Sequence, residues 1–386
     1  MNKTAKDVAQ SVVLRYAARL RYSPSEIHAV SIAETVDIKT AVLERRGVTI
    51  DLLDMSSRAH TGTFKALLAA LAVADALRDG QAAYVTASSG NTAEAMAAYA
   101  TGHGIESFLF VPAVSAYKLD RRWLQSAGVH LFVLDVPEPQ LKQIAAGFSR
   151  RTGWPMLPTH RHQIDSNKLR AYYLADRYRG GAPLHDWTVQ ALSGGYGPIG
   201  FYDGIRELLS EGDWPADQAP KLLGVQQQAV CPFVEETPER TGRQPAILEP
   251  TLYATNPKHA DDLRRAVREF GGHCLAVDNQ SYLQREPELV RLLADHGLAC
   301  GRAVYHPEQP VVERSGLIAL AGTQDAIDQG IIPSGSRVLV NFTGGCCPDL
   351  TEPATAEFSL QAGQPVEEFW AHAALYQRLA DSNNPV

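Results

Sequence analysis

Thr61-Gly62-Thr63-Phe64-Lys65-Ala66 runs directly into Leu67-Leu68-Ala69-Ala70-Leu71. The second stretch reads as a helix buried on most of its surface, and Lys65 stands at its head. Lysine ordinarily prefers a solvated face. A lysine at the edge of an apolar layer has its pKa lowered and becomes nucleophilic. The competing reading is a snorkelling lysine, its stem on apolar surface and its ammonium in water. Taken alone, the segment favours the second.

On either side, short apolar runs alternate with helical patterns. Ala83–Thr86, Ser107–Val111 and His130–Leu134 read as buried strands, with helices expected over Thr92–Gly102 and Tyr117–Ala127. Trp187–Leu192, Lys221–Val225, His273–Val277 and Arg337–Phe342 continue the strands. Ile199–Leu209, Lys258–Phe270, Pro287–His296 and Ser315–Gln329 continue the helices. This alternation implies parallel sheets covered on both faces. Ligands of such sheets sit beyond the carboxyl ends of the strands, so the segments there carry the chemistry.

Three more segments fall at strand ends. Thr86-Ala87-Ser88-Ser89-Gly90-Asn91-Thr92 opens a helix with small hydroxyl residues, a glycine and exposed amides, an anion cradle suited to a carboxylate. An ordinary N-cap is the plainer reading. Leu192-Ser193-Gly194-Gly195-Tyr196-Gly197-Pro198-Ile199-Gly200 could wrap a phosphate with backbone N–H groups. It lacks the Gly-Lys-Ser/Thr of a Walker loop, and a tight turn reads nearly as well. Val340-Asn341-Phe342-Thr343-Gly344-Gly345 ends the last strand with a hydroxyl, or simply turns.

At 386 residues, with 45% hydrophobic and 20% charged residues, the chain has the composition of a globular protein of two or three domains, or one interlocked pair. A net charge of −7 argues against a nucleic-acid partner. Five cysteines, an odd number with no C-x-x-C pair, suggest neither a disulfide framework nor a metal site. The longest apolar run, Ala66–Leu77, is too short for a bilayer and contains Asp75. No secretory leader is evident near Lys3, Lys6 and Asp7, so a cytoplasmic protein without a membrane partner is expected. Pro232–Pro250, proline-containing and charged, reads as a surface excursion.

Together and in this order, the four segments resemble the fold-type-II pyridoxal-phosphate enzymes, the tryptophan synthase β-like superfamily, and within it the threonine synthases and cysteate synthases. Thr63-Phe64-Lys65 is similar to the family's Ser-Phe-Lys, and Ser88 to Thr92 to its Ser-Ser/Ala-Gly-Asn-Thr loop. Gly194 to Gly200 is similar to its phosphate loop, and Thr343 to its late Ser or Thr. Lesser similarities lie at Val111-Pro112 with Lys118, Gly224-Val225-Gln226, Gly271-Gly272 with Val277-Asp278, and Glu313 with Gly316 and Ala321-Gly322. Threonine synthases continue Phe-Lys-Asp-Arg, where this chain has Ala66-Leu67. Their early Thr-Pro-Leu is replaced by Thr35-Val36-Asp37. The Asn-Phe-Thr-Gly-Gly ending is closer to the cysteate synthases, which replace the phosphate of O-phosphoserine with sulfite.

The resemblance implies two three-layer αβα domains: a large cofactor-binding one from 1–54 and 166–386, and a smaller mobile one over 55–165. Lys65 would hold pyridoxal 5′-phosphate as a Schiff base and act as general base. Asn91 would meet the cofactor's 3′ oxygen. Amides of Gly194, Gly195, Tyr196, Gly197 and Ile199 would hold its phosphate, and Thr343 its ring nitrogen. Ser88, Ser89, Gly90, Asn91 and Thr92 would bind the substrate carboxylate. Lys118 and Lys168, with Arg121, Arg122 and Arg170 as further candidates, would meet a substrate phosphate. A charged helix face explains Lys118 to Arg122 as well.

The implied activity is β-replacement on O-phosphoserine in amino-acid biosynthesis, by a homodimer acting on a small amino acid. Threonine synthase, an ammonia-lyase or dehydratase, and a binding protein that has lost catalysis are the competing readings. A Rossmann oxidoreductase is a further one. The intact Lys65 speaks against lost catalysis, and nicotinamide binding without visible colour would mark the oxidoreductase.

Overall fold

The computed structural model describes residues 11–32, 34, 37–56, 61–235, 245–298, 302–303, 311–312, 314–344 and 354–383. Two sheets organise them. The larger has the strand order Asp37–Arg45, Val48–Asp54, Arg337–Phe342, Trp187–Ala191, Lys221–Gln227, Gly272–Val277. All neighbours are parallel except the first pair, an antiparallel hairpin. Its two-residue turn, Arg46 at φ 49° and Gly47 at φ 74°, has the left-handed geometry that matches strand twist. The smaller sheet has the order Phe358–Leu360, Val129–Leu134, Glu106–Pro112, Ala83–Ala87, all parallel.

Alternation along the strands builds a layer on each face. In the larger sheet Val338, Val340 and Phe342 pack with Leu317, Ile318 and Leu320 of the helix Ser315–Asp328. That helix lies close because glycines face the sheet. A Cβ on Gly322 would stand 2.5 Å from Val225, and one on Gly316 2.4 Å from Phe342. Leu339 faces the other way, toward Phe201 and Ile205 of the helix Tyr196–Glu211. In the smaller sheet Phe108, Phe110 and Phe132 pack with Phe148 and Phe369, from helices Glu138–Thr152 and Val366–Asn383. Leu109, Val111 and Leu131 face the cluster that contains the helices Lys65–Arg78 and Asn91–Ala100. Those two helices are buried nearly all round, as their Ala-rich sequences require.

Fold class and strand positions agree with the sequence reading; Arg337–Phe342 agrees residue for residue. The strand Phe358–Leu360 lies within the stretch assigned to the larger domain, yet it hydrogen-bonds to the smaller sheet. The helix expected over Tyr117–Ala127 is broken. A 3-10 turn, Ala113–Lys118, is followed by one turn at Arg121–Leu124. Leu119 is extended, and the buried Glu94 carboxylate accepts the N–H of Asp120 at 2.6 Å, while Asp120 caps the next turn. The helix expected from Pro287 starts earlier, at Asn279, where Asp278 accepts the N–H of Ser281 at 2.8 Å. Of the excursion 232–250, residues 236–244 lie outside the described residues, as do Thr35, Val36, Glu313 and Gly345.

Candidate active site

The chain leaves the larger sheet after Asp54 and returns to its carboxyl edge ten residues later. Met55 N–H donates to the Phe342 carbonyl at 3.0 Å, Thr63 forms an antiparallel bridge with Gly344, and Phe64 N–H donates to the Thr343 carbonyl at 2.9 Å. Lys65 follows at once and begins its helix, its own N–H donating to Thr63 Oγ1 at 3.3 Å. Lys65 and Thr343 are thus brought to one strand end. Thr343 is 5% exposed, and its hydroxyl has no hydrogen-bond partner among the described residues.

The Lys65 amine is set for base chemistry. As a residue Lys65 is only partly buried, but its Nζ is surrounded by protein and lies 4.2 Å from the Phe64 ring centroid. Burial, then the charge of Arg170, pushes its pKa down to about 8. The ring face favours the ammonium form, and desolvation outweighs it.

Two runs of backbone N–H groups open at strand ends, one after Ala83–Ala87 of the smaller sheet and one after Trp187–Ala191 of the larger. Ser88 N–H donates to the Phe110 carbonyl at 3.0 Å, fixing the first loop to the smaller sheet. Ser88 Oγ accepts from the N–H groups of Gly90 at 3.1 Å and Ala93 at 3.3 Å, so this hydroxyl caps the helix. Gly90 sits at φ 125°. The N–H groups of Ser89, Asn91 and Thr92 find no acceptor among the described residues. In the second run, Leu192 N–H donates to the Val225 carbonyl at 2.7 Å, and the first helical bond is Ile199 N–H to Gly195 at 3.2 Å. Between them the N–H groups of Ser193, Gly194, Gly195, Tyr196 and Gly197 have no acceptor among the described residues. Ile199, read with this loop, spends its N–H on Gly195.

Such a row of orphaned donors at the head of a long helix fits a phosphate group. The loop can approach a ligand closely because it is held from behind. A Cβ on Gly200 would stand 2.4 Å from the Ile164 carbonyl oxygen, and one on Gly197 2.1 Å from Gln190 Nε2. The helix Tyr196–Glu211 is therefore pressed against the helix His160–Arg179.

The basic residues are dispersed. Lys168 lies beside Gly204, about 10 Å along the helix from the glycine loop at 1.5 Å per residue. Its Nζ is 2.9 Å from Glu207 and 3.1 Å from Asp165. Burial works against its charge, but these carboxylates outweigh it and raise its pKa. Arg122 pairs with Asp120, and the side chain of Lys118 lies outside the described residues. Arg170 is buried behind the glycine loop, bound to Gln190, Asn341, Asn167 and the Gly197 carbonyl. The first three of those partners escaped the sequence reading. Their signal was present in part: Gln190 and Asn341 are amides inside largely apolar strands, and Arg170 stands between Leu169 and Ala171-Tyr172.

Two layered α/β units with a basic lysine and two open amide cradles at their strand ends define a cofactor enzyme of the tryptophan synthase β-like fold. Residues 43–344 match the family described as pyridoxal-phosphate dependent enzyme, and the chain belongs to that family. Its cofactor is pyridoxal 5′-phosphate. The chain is 24% identical over 328 residues to a threonine synthase of Methanosarcina acetivorans, covering 82% of this chain and 73% of that one. It is 25% identical over 308 residues to a cysteate synthase of Methanothrix thermoacetophila, covering 76% and 69%. The solved structure of threonine synthase from Escherichia coli superposes with a TM-score of 0.62 at 12% identity, over 88% of this chain and 78% of that one. That last likeness shows the fold. No helix among the described residues is long and apolar enough to cross a membrane.

Proposed function

We propose that this enzyme carries out β-replacement on an O-phosphorylated three-carbon amino acid, O-phosphoserine, in the manner of a cysteate synthase. The observation that carries the reading is the Lys65–Thr343 junction, a lysine with a pKa near 8 whose neighbour Phe64 is bonded to the backbone of Thr343, a residue with a neutral hydroxyl. Bound pyridoxal phosphate supplies an electron sink at the α-carbon. Lys65, partly neutral at physiological pH, takes the α-proton. The amides of Ser89, Asn91 and Thr92 would hold the substrate carboxylate, and Asn91 would meet the cofactor's 3′ oxygen. Thr343 would meet the ring nitrogen with a neutral hydroxyl, which would not hold it protonated as an aspartate would, and chemistry at the β-carbon would be favoured over transamination. The carbon–oxygen bond to phosphate breaks, a nucleophile adds at the β-carbon, and Lys65 returns the proton. Lys118 would meet the leaving phosphate; Lys168 is engaged by two carboxylates. Closure of the smaller unit, 55–165 together with the segment 358–383 that packs on its sheet, onto the rest of the chain would shut water out. The reading includes a cytoplasmic homodimer, which sedimentation and fractionation test.

A second reading, threonine synthase acting on O-phosphohomoserine and water, is favoured by the relatives of that name. Phosphate release and product mass decide between them. O-phosphoserine with sulfite or sulfide should release phosphate and give cysteate or cysteine. Threonine from O-phosphohomoserine, with O-phosphoserine inert, would sink the β-replacement reading.

A further inference from the structure

Arg170 lies mid-helix and is 1% exposed. Its Nη1 donates to Gln190 Oε1 at 2.7 Å and to Asn341 Oδ1 at 3.1 Å. Its Nη2 donates to Asn167 Oδ1 at 3.0 Å and to the Gly197 carbonyl at 2.5 Å. All four acceptors are neutral. Nε has no partner, and no described carboxylate acts on the guanidinium. Burial pushes its pKa down to about 9, which still leaves it charged at neutral pH.

A fully buried cation caged by neutral groups is electrically incomplete. Protein interiors tolerate one where an anion balances it. The place for that anion is indicated by Gly197. Its carbonyl is tied to Arg170, while its N–H belongs to the open row that begins at Ser193. The guanidinium and the amide cradle therefore share one residue, and the same bond holds the turn with its amides facing outward. The cage draws on separate elements: Gln190 and Asn341 from two strands, Asn167 from the helix that carries Arg170.

We propose that Arg170 is the buried counter-charge and positioning residue of the Ser193–Gly197 cradle, fixing the turn and supplying the positive charge that a bound phosphate balances. This deepens, and rests on, the reading that the glycine loop holds the cofactor phosphate. Arg170 also lowers the Lys65 pKa, second to burial.

The test separates charge from hydrogen bonding. Arg170→Gln removes the charge and keeps two of the five N–H donors; Arg170→Lys keeps the charge and loses the fork. The full chain, stripped of cofactor, is titrated with inorganic phosphate, with pyridoxal phosphate and with pyridoxal, which has no phosphate. Arg170→Gln should weaken both phosphate-bearing ligands by about 30-fold and pyridoxal by less than about 3-fold. Arg170→Lys should keep all three within about 5-fold. The stripped Gln variant should melt no lower than the parent, because a buried charge has gone.

Equal weakening of pyridoxal phosphate and pyridoxal, together with a lower melting temperature, would make Arg170 purely structural and overturn the proposal. So would unchanged phosphate affinity in Arg170→Gln. If the Gln variant does not fold, a loss of phosphate affinity beyond about 5-fold in Arg170→Lys overturns it. Gly194→Asp is the control for the loop itself. If it abolishes phosphate binding while Arg170→Gln does not, only the role of Arg170 falls. If it leaves phosphate binding intact, the loop reading falls as well.

Discussion

The N–H of Phe64 donates to the carbonyl of Thr343 at 2.9 Å, so the residue ahead of Lys65 is clamped to the strand end that carries Thr343. Amine and hydroxyl come from opposite ends of the chain, yet they hang from one backbone bond. Their separation is set by the sheet edge rather than by two flexible loops, the kind of rigid support that catalytic geometry needs.

The Lys65 amine should show its depressed pKa directly. Loading of pyridoxal phosphate into the stripped chain should quicken through a midpoint near pH 8, not near 10.5. Borohydride reduction of the holoenzyme followed by peptide mapping should tag Lys65. A midpoint near 10.5, or a tag on another lysine, would remove Lys65 from the site.

The same shift makes Lys65 a burden on the cofactor-free fold. Its folded pKa lies below its unfolded value, so the unfolded chain binds the extra proton between about pH 8 and 10.5. The cost of burying the ammonium is present in full below pH 8 and disappears above 10.5. Lys65→Met should therefore stabilise the stripped chain at pH 7 by about 2–3 kcal/mol. Denaturant midpoints across pH should show the gain shrinking as pH rises from 8 to 10.5.

Adjacent glycines of the phosphate loop should fail differently. Gly195 sits at φ 83°, and a Cβ there would stand 3.3 Å from Leu263 and Phe233. Gly195→Ala should lose about 1–2 kcal/mol of stability from backbone strain alone. At Gly194 a Cβ meets only the Tyr196 ring at 3.4 Å. Gly194→Asp should fold, with a carboxylate where a phosphate must lie, and lose the cofactor. Calorimetry and visible absorbance separate the two effects; a coloured Gly194→Asp enzyme would place the phosphate elsewhere.

Ser88 has a task before any substrate arrives, because its hydroxyl caps the helix Asn91–Ala100. Ser88→Ala should cost about 1 kcal/mol of stability. It should also raise KM for the amino acid more than it lowers kcat, since the amides of Asn91 and Thr92 lose their fixed direction. An unchanged KM would show that the carboxylate binds away from this loop.

Much of this architecture was legible because strands buried on both faces spell themselves as apolar runs, as Trp187–Ala191 and Arg337–Phe342 do. Lys65 stood out because its chemistry clashes with the helix it begins. The hairpin Asp37–Asp54 was missed for the opposite reason. Asp51 interrupts its second strand, and that carboxylate is buried against His185 at 2.8 Å and Arg337 at 2.6 Å, partners distant in sequence. The helix His160–Arg179 was missed because it buries His162, Asp165, Ser166, Asn167 and Arg170, which leaves no apolar stripe at helical spacing. The sequence marks Gln190, Asn341 and Arg170 as polar residues in apolar surroundings, but that they meet in one cage is a product of tertiary packing.

The smaller sheet takes its edge strand, Phe358–Leu360, and one covering helix, Val366–Asn383, from beyond the family match, which ends at Gly344. Phe369 of that helix is fully buried among Phe110, Phe132 and Phe148. During synthesis on the ribosome, strands 83–134 emerge more than two hundred residues before the segment that covers them. Until it arrives, an aromatic face and an open strand edge are bare, the condition in which nascent chains associate wrongly. A stop codon just after Gly344 would spare every glycine-loop residue and still yield a protein that aggregates.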